Sequence, residues 1–144
     1  MERVHATCVS IDGWGVLLRG PSGAGKSDLA LRLLDSGALL VADDYTELRR
    51  EGDQLRAQAP SILHGLFEVR GLGVLQLAAK DSVLVAAIID LVPENEVERM
   101  PADDYSAFLG VSVPLFRLAA FEASAPAKVR LAVRIAGGSI IRAE

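Results

Sequence analysis

Gly20-Pro21-Ser22-Gly23-Ala24-Gly25-Lys26-Ser27 meets the pattern G-x-x-x-x-G-K-[ST] at every fixed position. The chemistry of such a loop is the binding of phosphate. Glycine lets the backbone turn so that successive N–H groups face inward onto phosphate oxygens. Lys26 brings a point charge to the terminal phosphates, and the Ser27 hydroxyl can ligate Mg²⁺. Such a loop needs a strand to feed it and a helix to leave it. Trp14 to Arg19 reads as the strand, and Ser27 to Leu34 as the helix, with Leu29, Ala30, Leu33 and Leu34 on one face. The helix N-terminus then sets the positive end of its dipole beneath the phosphates.

Other residues could act on a phosphate held there. Asp43-Asp44 closes the apolar run Ala38 to Ala42, a buried strand by its pattern, and α/β proteins place ligand-binding groups at such strand ends. One carboxylate can serve Mg²⁺ and the other can take a proton from a hydroxyl nucleophile, as phosphoryl transfer requires. Glu68-Val69-Arg70-Gly71-Leu72-Gly73 sets an acid and a base on one side of a short strand, before a glycine pair. A close backbone approach and a plain ion pair before a turn explain that segment equally well. Asp90 ends the run Ala87-Ile88-Ile89 and reads either as a Mg²⁺-holding strand end or as an ordinary strand-end carboxylate. His5 opens the first strand and His64 lies in a loop; a lone histidine is more often structural or solvated than functional. Arg99 and Arg117 are cations that a transferring phosphoryl group could use, against the commoner role of solvated loop arginines.

The elements that must position these groups are mostly strands. Val4 to Ile11 reads as one strand, turning at Asp12-Gly13 into the next. The helix after the loop should stop at Ser36-Gly37. Thr46 to Arg50 and Gln54 to Ala57 form a hairpin pattern around Glu51-Gly52-Asp53, and Leu66 to Val69 and Val74 to Leu77 are short strands. Val83 to Val92 is the strongest strand, Pro101 to Leu109 reads as a short helix with Asp103 and Asp104 near its start, and Val113 to Phe121 is partly extended. Ala125 to Ile135 reads as a last helix, ending at Gly137-Gly138. The expected fold class is α/β, a P-loop domain richer in strands than a doubly wound sheet of alternating units.

Bulk composition bounds the rest. The 144 residues suggest one domain, and 51% hydrophobic residues suffice for a core without disulfides. A net charge of −4 gives no footprint for nucleic acid. The single cysteine, Cys8, excludes an internal disulfide, fits a reducing cytoplasm and reads as packing rather than catalysis. No signal-peptide pattern opens the chain, and the longest apolar run, Val83 to Ile89, is too short for a bilayer, so no membrane partner is expected.

Taken in order, four segments resemble the catalytic domain of HPr kinase/phosphorylase, the bacterial serine kinase of the phosphotransferase system. Val4-His5-Ala6 is similar to the family's histidine just inside the domain. Gly20 to Leu31 is similar to its extended phosphate loop, with an acid, Asp28, after the serine. Leu40-Val41-Ala42-Asp43-Asp44 resembles its Ala-Asp-Asp segment, and Phe67-Glu68-Val69-Arg70-Gly71-Leu72-Gly73-Val74 its Glu-Ile-Arg-Gly-Leu-Gly-Ile signature. The resemblance runs from His5 to about Pro114. It implies ATP and Mg²⁺ as cofactors and a serine of HPr as acceptor. It implies Asp44 as the base, and as the acid of the reverse reaction. Lys26 would hold the phosphates within the cradle Gly20 to Ser27, Ser27 and Glu68 would sit on Mg²⁺, and Asp43 would support the metal or Asp44. His5 would assist, and Arg99, in Val97-Glu98-Arg99-Met100, is similar to the later catalytic arginine. Asp90 matches no functional residue of the family. The implied fold resembles phosphoenolpyruvate carboxykinase around its nucleotide site.

Two departures stand out. Residues 1–144 read as a single catalytic domain with no N-terminal domain before it, similar to the short form found in alphaproteobacteria. Where the family carries a Pro-Gly-Arg-Asn loop, this chain has Pro114-Leu115-Phe116-Arg117-Leu118-Ala119-Ala120-Phe121, which favours the forward kinase reaction over the phosphorylase reaction. The family forms hexamers; for this chain a homo-oligomer stays open. Two rival readings also stay open: a P-loop kinase of small molecules, and a nucleotide-binding sensor without turnover. A GTPase is disfavoured because no Asn-Lys-x-Asp segment occurs.

Overall fold

The computed structural model describes residues 1–143. The strands are β1 (Glu2–His5), β2 (Thr7–Ile11), β3 (Trp14–Arg19), β4 (Leu39–Ala42), β5 (Tyr45–Glu51), β6 (Gln54–Gln58), β7 (Leu66–Val69), β8 (Gly73–Gln76), β9 (Val83–Leu91), β10 (Tyr105–Phe108) and β11 (Val111–Leu118). The helices are α1 (Lys26–Asp35) and α2 (Ala125–Ala136). Nine strands form one sheet along the path β1-β5-β6-β9-β3-β2-β4, with β11 on β9 and β10 on β11; β7 and β8 form a separate hairpin. Strands β3, β9 and β11 run parallel, and the other pairings are antiparallel.

Alternation along the central strands explains the layering. Val16 and Leu18 of β3, Ile89 and Leu91 of β9, and Val9 and Ile11 of β2 pack with Leu29, Ala30 and Leu33 of α1 and Val129, Ala132 and Val133 of α2. The intervening Leu17, Ile88 and Cys8 point to the other face, into a cluster with Leu48, Leu55, Ala57, Val83, Val113 and Leu115. Among the described residues, no helical residue belongs to that second cluster. The sheet therefore covers its own back: β6 pairs the N-terminal end of β9, while β11 takes its C-terminal half. A strand buried on both faces is apolar along its buried length, which is why β9 reads as a hydrophobic run from Val83 to Ile89 before Asp90. Burial also pushes the Cys8 thiol up to about 12, so it is inert packing.

Turn chemistry fixes the local register. Asp12 (φ 52°) and Gly13 (φ 85°) make the two-residue turn between β2 and β3, a conformation that suits an Asp-Gly pair. Helix α1 ends at Ser36, and Gly37 has φ 109°. There Ala38 N–H donates to the Leu33 carbonyl and Gly37 N–H to the Leu34 carbonyl, closing the helix end as a glycine there allows.

Two expectations are corrected. Val4 to Ile11 is two strands, because the chain changes partners at Ala6: β1 pairs β5, whereas β2 pairs β3 and β4. Pro101 to Leu109 contains no helix. Tyr105–Phe108 is a strand joined to β11 by the turn Leu109-Gly110, with φ of 51° and 79°. The free edge of β11 offers backbone hydrogen bonds that a lone helical turn could not match. Asp103 and Asp104 pair with Arg142 and Arg117 instead of capping a helix. Among the described residues, no helix is long and apolar enough to cross a membrane.

Leu33 is fully buried between α1 and the sheet. Leu33→Ala should cost about 2–5 kcal/mol through lost contacts and the cavity left behind, measured by urea unfolding with an unchanged m-value. A cost near zero would show that α1 docks by other means.

Candidate active site

The parallel strand β3 delivers the chain to the phosphate loop at the C-terminal edge of the sheet. Gly23 (φ 86°) and Gly25 (φ 98°) take left-handed conformations there, and Ala24 N–H closes a turn on the Pro21 carbonyl at 3.0 Å. A β-carbon on Gly25 would lie 2.7 Å from the Ala120 β-carbon, so glycine is required on steric grounds as well. Lys26 is buried, its Nζ donating to the carbonyls of Gly20 at 2.6 Å and Pro21 at 3.2 Å. The ammonium is thereby held at the loop itself, and Ser27 opens onto the adjoining strand end.

Antiparallel pairing brings the acids to the same edge. β4 runs antiparallel to β2, and β2 antiparallel to β3, so Asp43-Asp44 emerges beside the loop. Asp43 Oδ1 accepts from the Ser27 hydroxyl at 3.3 Å and the Thr7 hydroxyl at 3.3 Å; its Oδ2 accepts from Glu68 N–H at 3.2 Å. Burial pushes the Asp43 carboxyl above its ordinary value. The Glu68 N–H and the Ser27 and Thr7 hydroxyls oppose that push, and the neighbouring Asp44 charge adds to it. Such a carboxylate favours arrival of a cation.

Asp44 is built differently. Its φ is 67°, and Tyr45 N–H bonds back to the Asp43 carbonyl at 2.7 Å, so it sits at the apex of a tight three-residue turn. This turn is rare and strained for a residue with a side chain. Thr7 offsets part of the strain, since its hydroxyl oxygen accepts the Asp44 N–H at 3.1 Å. The turn presents the Asp44 carboxylate to solvent, 55% exposed, with His5 Nε2 at 2.7 Å from Oδ1. The His5 ring in turn lies 5.3 Å from that of Tyr45. The two acids thus have distinct settings: one held among donors and partly buried, one open and aligned by an imidazole.

The remaining candidates divide. Glu68 reaches the site through its main chain, and its side chain is exposed on β7. Among the described residues, no three His, Cys, Asp or Glu side chains are grouped to hold a metal, so a cation there would draw on the Ser27 hydroxyl beside Asp43. Arg99 lines a cavity of about 230 Å³ with Arg117, Lys128 and Arg142, a lining that includes neither the loop nor Asp43 and Asp44. Asp90 is a two-oxygen partner of Arg19, at 2.7 and 3.0 Å, which accounts for it structurally. His64 lies 3.2 Å from Asp81. Thr7 was not among the expected residues, yet its buried hydroxyl touches both acids. The signal that could have found it is period: His5 and Thr7 are two apart on an extended segment.

Loop, acid pair and sheet define a P-loop domain with the kinase fold. The family described as HPr Serine kinase C-terminal domain matches residues 1–129. HPr kinase/phosphorylase of Chlorobium phaeovibrioides is 40% identical over 133 residues, covering 83% of this chain and 40% of that protein. The same-named protein of Peptoclostridium acidaminophilum is 45% identical over 99 residues, 66% of this chain and 32% of its own length. The structure of the Hpr(Ser) kinase/phosphatase from Coxiella burnetii superposes with a TM-score of 0.85 at 28% identity, covering 96% of this chain and 92% of that one. The chain belongs to the HPr serine kinase C-terminal domain family. It spans about 40% of the length of the first of these curated relatives.

The raised carboxyl of Asp43 makes a signed prediction. The folded state holds that proton more tightly than an unfolded aspartate, whose value is near 3.8. As pH rises from 3.8 through the raised folded value, the wild type loses stability that an uncharged side chain keeps. The melting temperature of Asp43→Asn should gain on wild type across that window and level off above it, without Mg²⁺. A difference independent of pH would refute the assignment.

Proposed function

We propose that this chain is an ATP- and Mg²⁺-dependent protein kinase that phosphorylates a serine of HPr, in a cytoplasmic setting. One observation carries the reading: an exposed Asp44 aligned by His5 at 2.7 Å stands at the same sheet edge as the phosphate loop. The relatives' names supply the acceptor. The residues fit the nucleotide and the metal. The left-handed conformations of Gly23 and Gly25 give the loop the turn that a phosphate cradle needs, and the Ser27 hydroxyl and Asp43 carboxylate are already 3.3 Å apart.

In the forward reaction the acceptor serine oxygen bonds to the terminal phosphorus, and the bond from that phosphorus to the bridging oxygen breaks. Asp44 takes the serine proton, and His5 fixes which way its carboxylate faces. Lys26 carries positive charge to the phosphates from the floor of the loop. Ser27 and Asp43, with Glu68 beside them, would hold Mg²⁺, which would supply neutralisation of the phosphate charge. Arg99 would need to approach from the neighbouring cavity as the acceptor docks. The stretch Pro114 to Leu118 belongs to β11, and Ala119 to Phe121 turns onto the phosphate loop. That stretch lacks a Pro-Gly-Arg-Asn loop, which favours phosphorylation over its reversal.

Asp44→Asn should leave nucleotide affinity within about twofold and lower transfer from labelled ATP to HPr by about 10²–10⁴-fold, the usual loss of a general base. Undiminished transfer would remove Asp44 from the chemistry. Label appearing on a metabolite, or binding without any transfer by wild type, would favour the two rival readings.

A further inference from the structure

Beyond β11 the chain does something the phosphate chemistry does not require. Ala119 and Ala120 are buried, and the next residue, Phe121, is 69% exposed. A single exposed aromatic is ordinary on a protein surface. This one is not loosely placed. A β-carbon on Gly25 would lie 2.9 Å and 3.2 Å from Cζ and Cε1 of its ring, so the ring edge rests on the phosphate loop itself.

The backbone on both sides is fixed. Arg32 of α1 donates to the Ala120 carbonyl and, at 3.2 Å, to the Glu122 carbonyl. Its own guanidinium is held by Asp28 at 3.0 Å. Glu122 is further paired with Lys128 at 3.4 Å. Asp28 and Arg32 lie on the helix that leaves the loop. Any shift of the loop-bearing helix therefore carries the Phe121 backbone with it, and the ring keeps its place over Gly25. Leaving a phenylalanine open forgoes the stabilisation of its burial, so holding it out by anchors on each side calls for a ligand that covers it.

Resting on the nucleotide reading above, we propose that Phe121 is the stacking platform for the nucleobase of the nucleoside triphosphate. A nucleotide whose phosphates lie in the loop must extend its ribose and base away from it, and Phe121 supplies an aromatic surface against the loop's rim. Stacking is tolerant of base identity, because every base has a π-face. The platform thus contributes affinity for nucleotides as a class, while the loop alone serves the phosphates.

The test compares two probes, Mg-ADP and Mg-pyrophosphate, by calorimetric titration of the full chain as wild type, Phe121→Ala and Phe121→Tyr. Matching melting temperatures establish that the variants fold. The platform predicts that Phe121→Ala weakens ADP about 5- to 150-fold, the range for truncating a base-stacking aromatic. It leaves pyrophosphate within about twofold, and tyrosine restores ADP binding. Unchanged ADP affinity overturns the proposal. So does a parallel loss of ADP and pyrophosphate, which would make Phe121 a support for the loop. A loss of transfer to HPr at saturating ATP, with ADP binding intact, would assign the ring to the acceptor protein instead. Wild type binding neither probe would sink the nucleotide reading itself, whereas pyrophosphate binding as tightly as ADP would sink only the platform.

Discussion

The carboxylate of Asp43 ties together four elements that sequence keeps far apart. It ends β4, accepts hydroxyl protons from Thr7 on β2 and Ser27 on α1, and accepts the Glu68 N–H of β7. Each donor offsets part of the cost of bringing a charge partly out of water. The arrangement works only while β4, β2 and β3 stay in register, since a slip of one residue would turn these side chains to the opposite face. Loop, acid pair and histidine share one edge because that register holds.

What holds it is the two-sided burial of the central strands. On one face β3, β9 and β2 pack against α1 and α2; on the other the sheet curls over itself through β5, β6 and β11. A rigid floor of this kind lets a strained turn persist at Asp44. The structure around it, chiefly the Thr7 hydroxyl and the Tyr45 N–H, over-determines a backbone conformation that the residue alone would avoid.

Much of this was legible in the residues. The phosphate loop, the strand into it and the helix out of it fall within a residue or so of their expected bounds, because their signals are local: glycine conformation, alternation and a helical stripe. The Asp-Gly turn and the glycine end of α1 were legible for the same reason. Pro101 to Leu109 holds a strand in place of the expected helix because its state is set by β11, a partner that supplies hydrogen bonds from outside the segment. Thr7 carried only a weak signal, its two-residue spacing from His5, because a threonine's type does not say what it faces.

The sequence by itself determined which chemical groups are present and the local shapes that hold them: a loop for phosphate, two adjacent acids at a strand end, a histidine on the first strand. Only the tertiary structure decided how those groups divide their work. Antiparallel pairing set His5 on Asp44 and Thr7 beneath both acids, the parallel pairing of β3 with β9 gave Asp90 to Arg19, and Arg99 came to lie in a different cavity. The reason is that a side chain's type is written at its position, whereas its partner is fixed by strand register and packing between segments tens of residues apart.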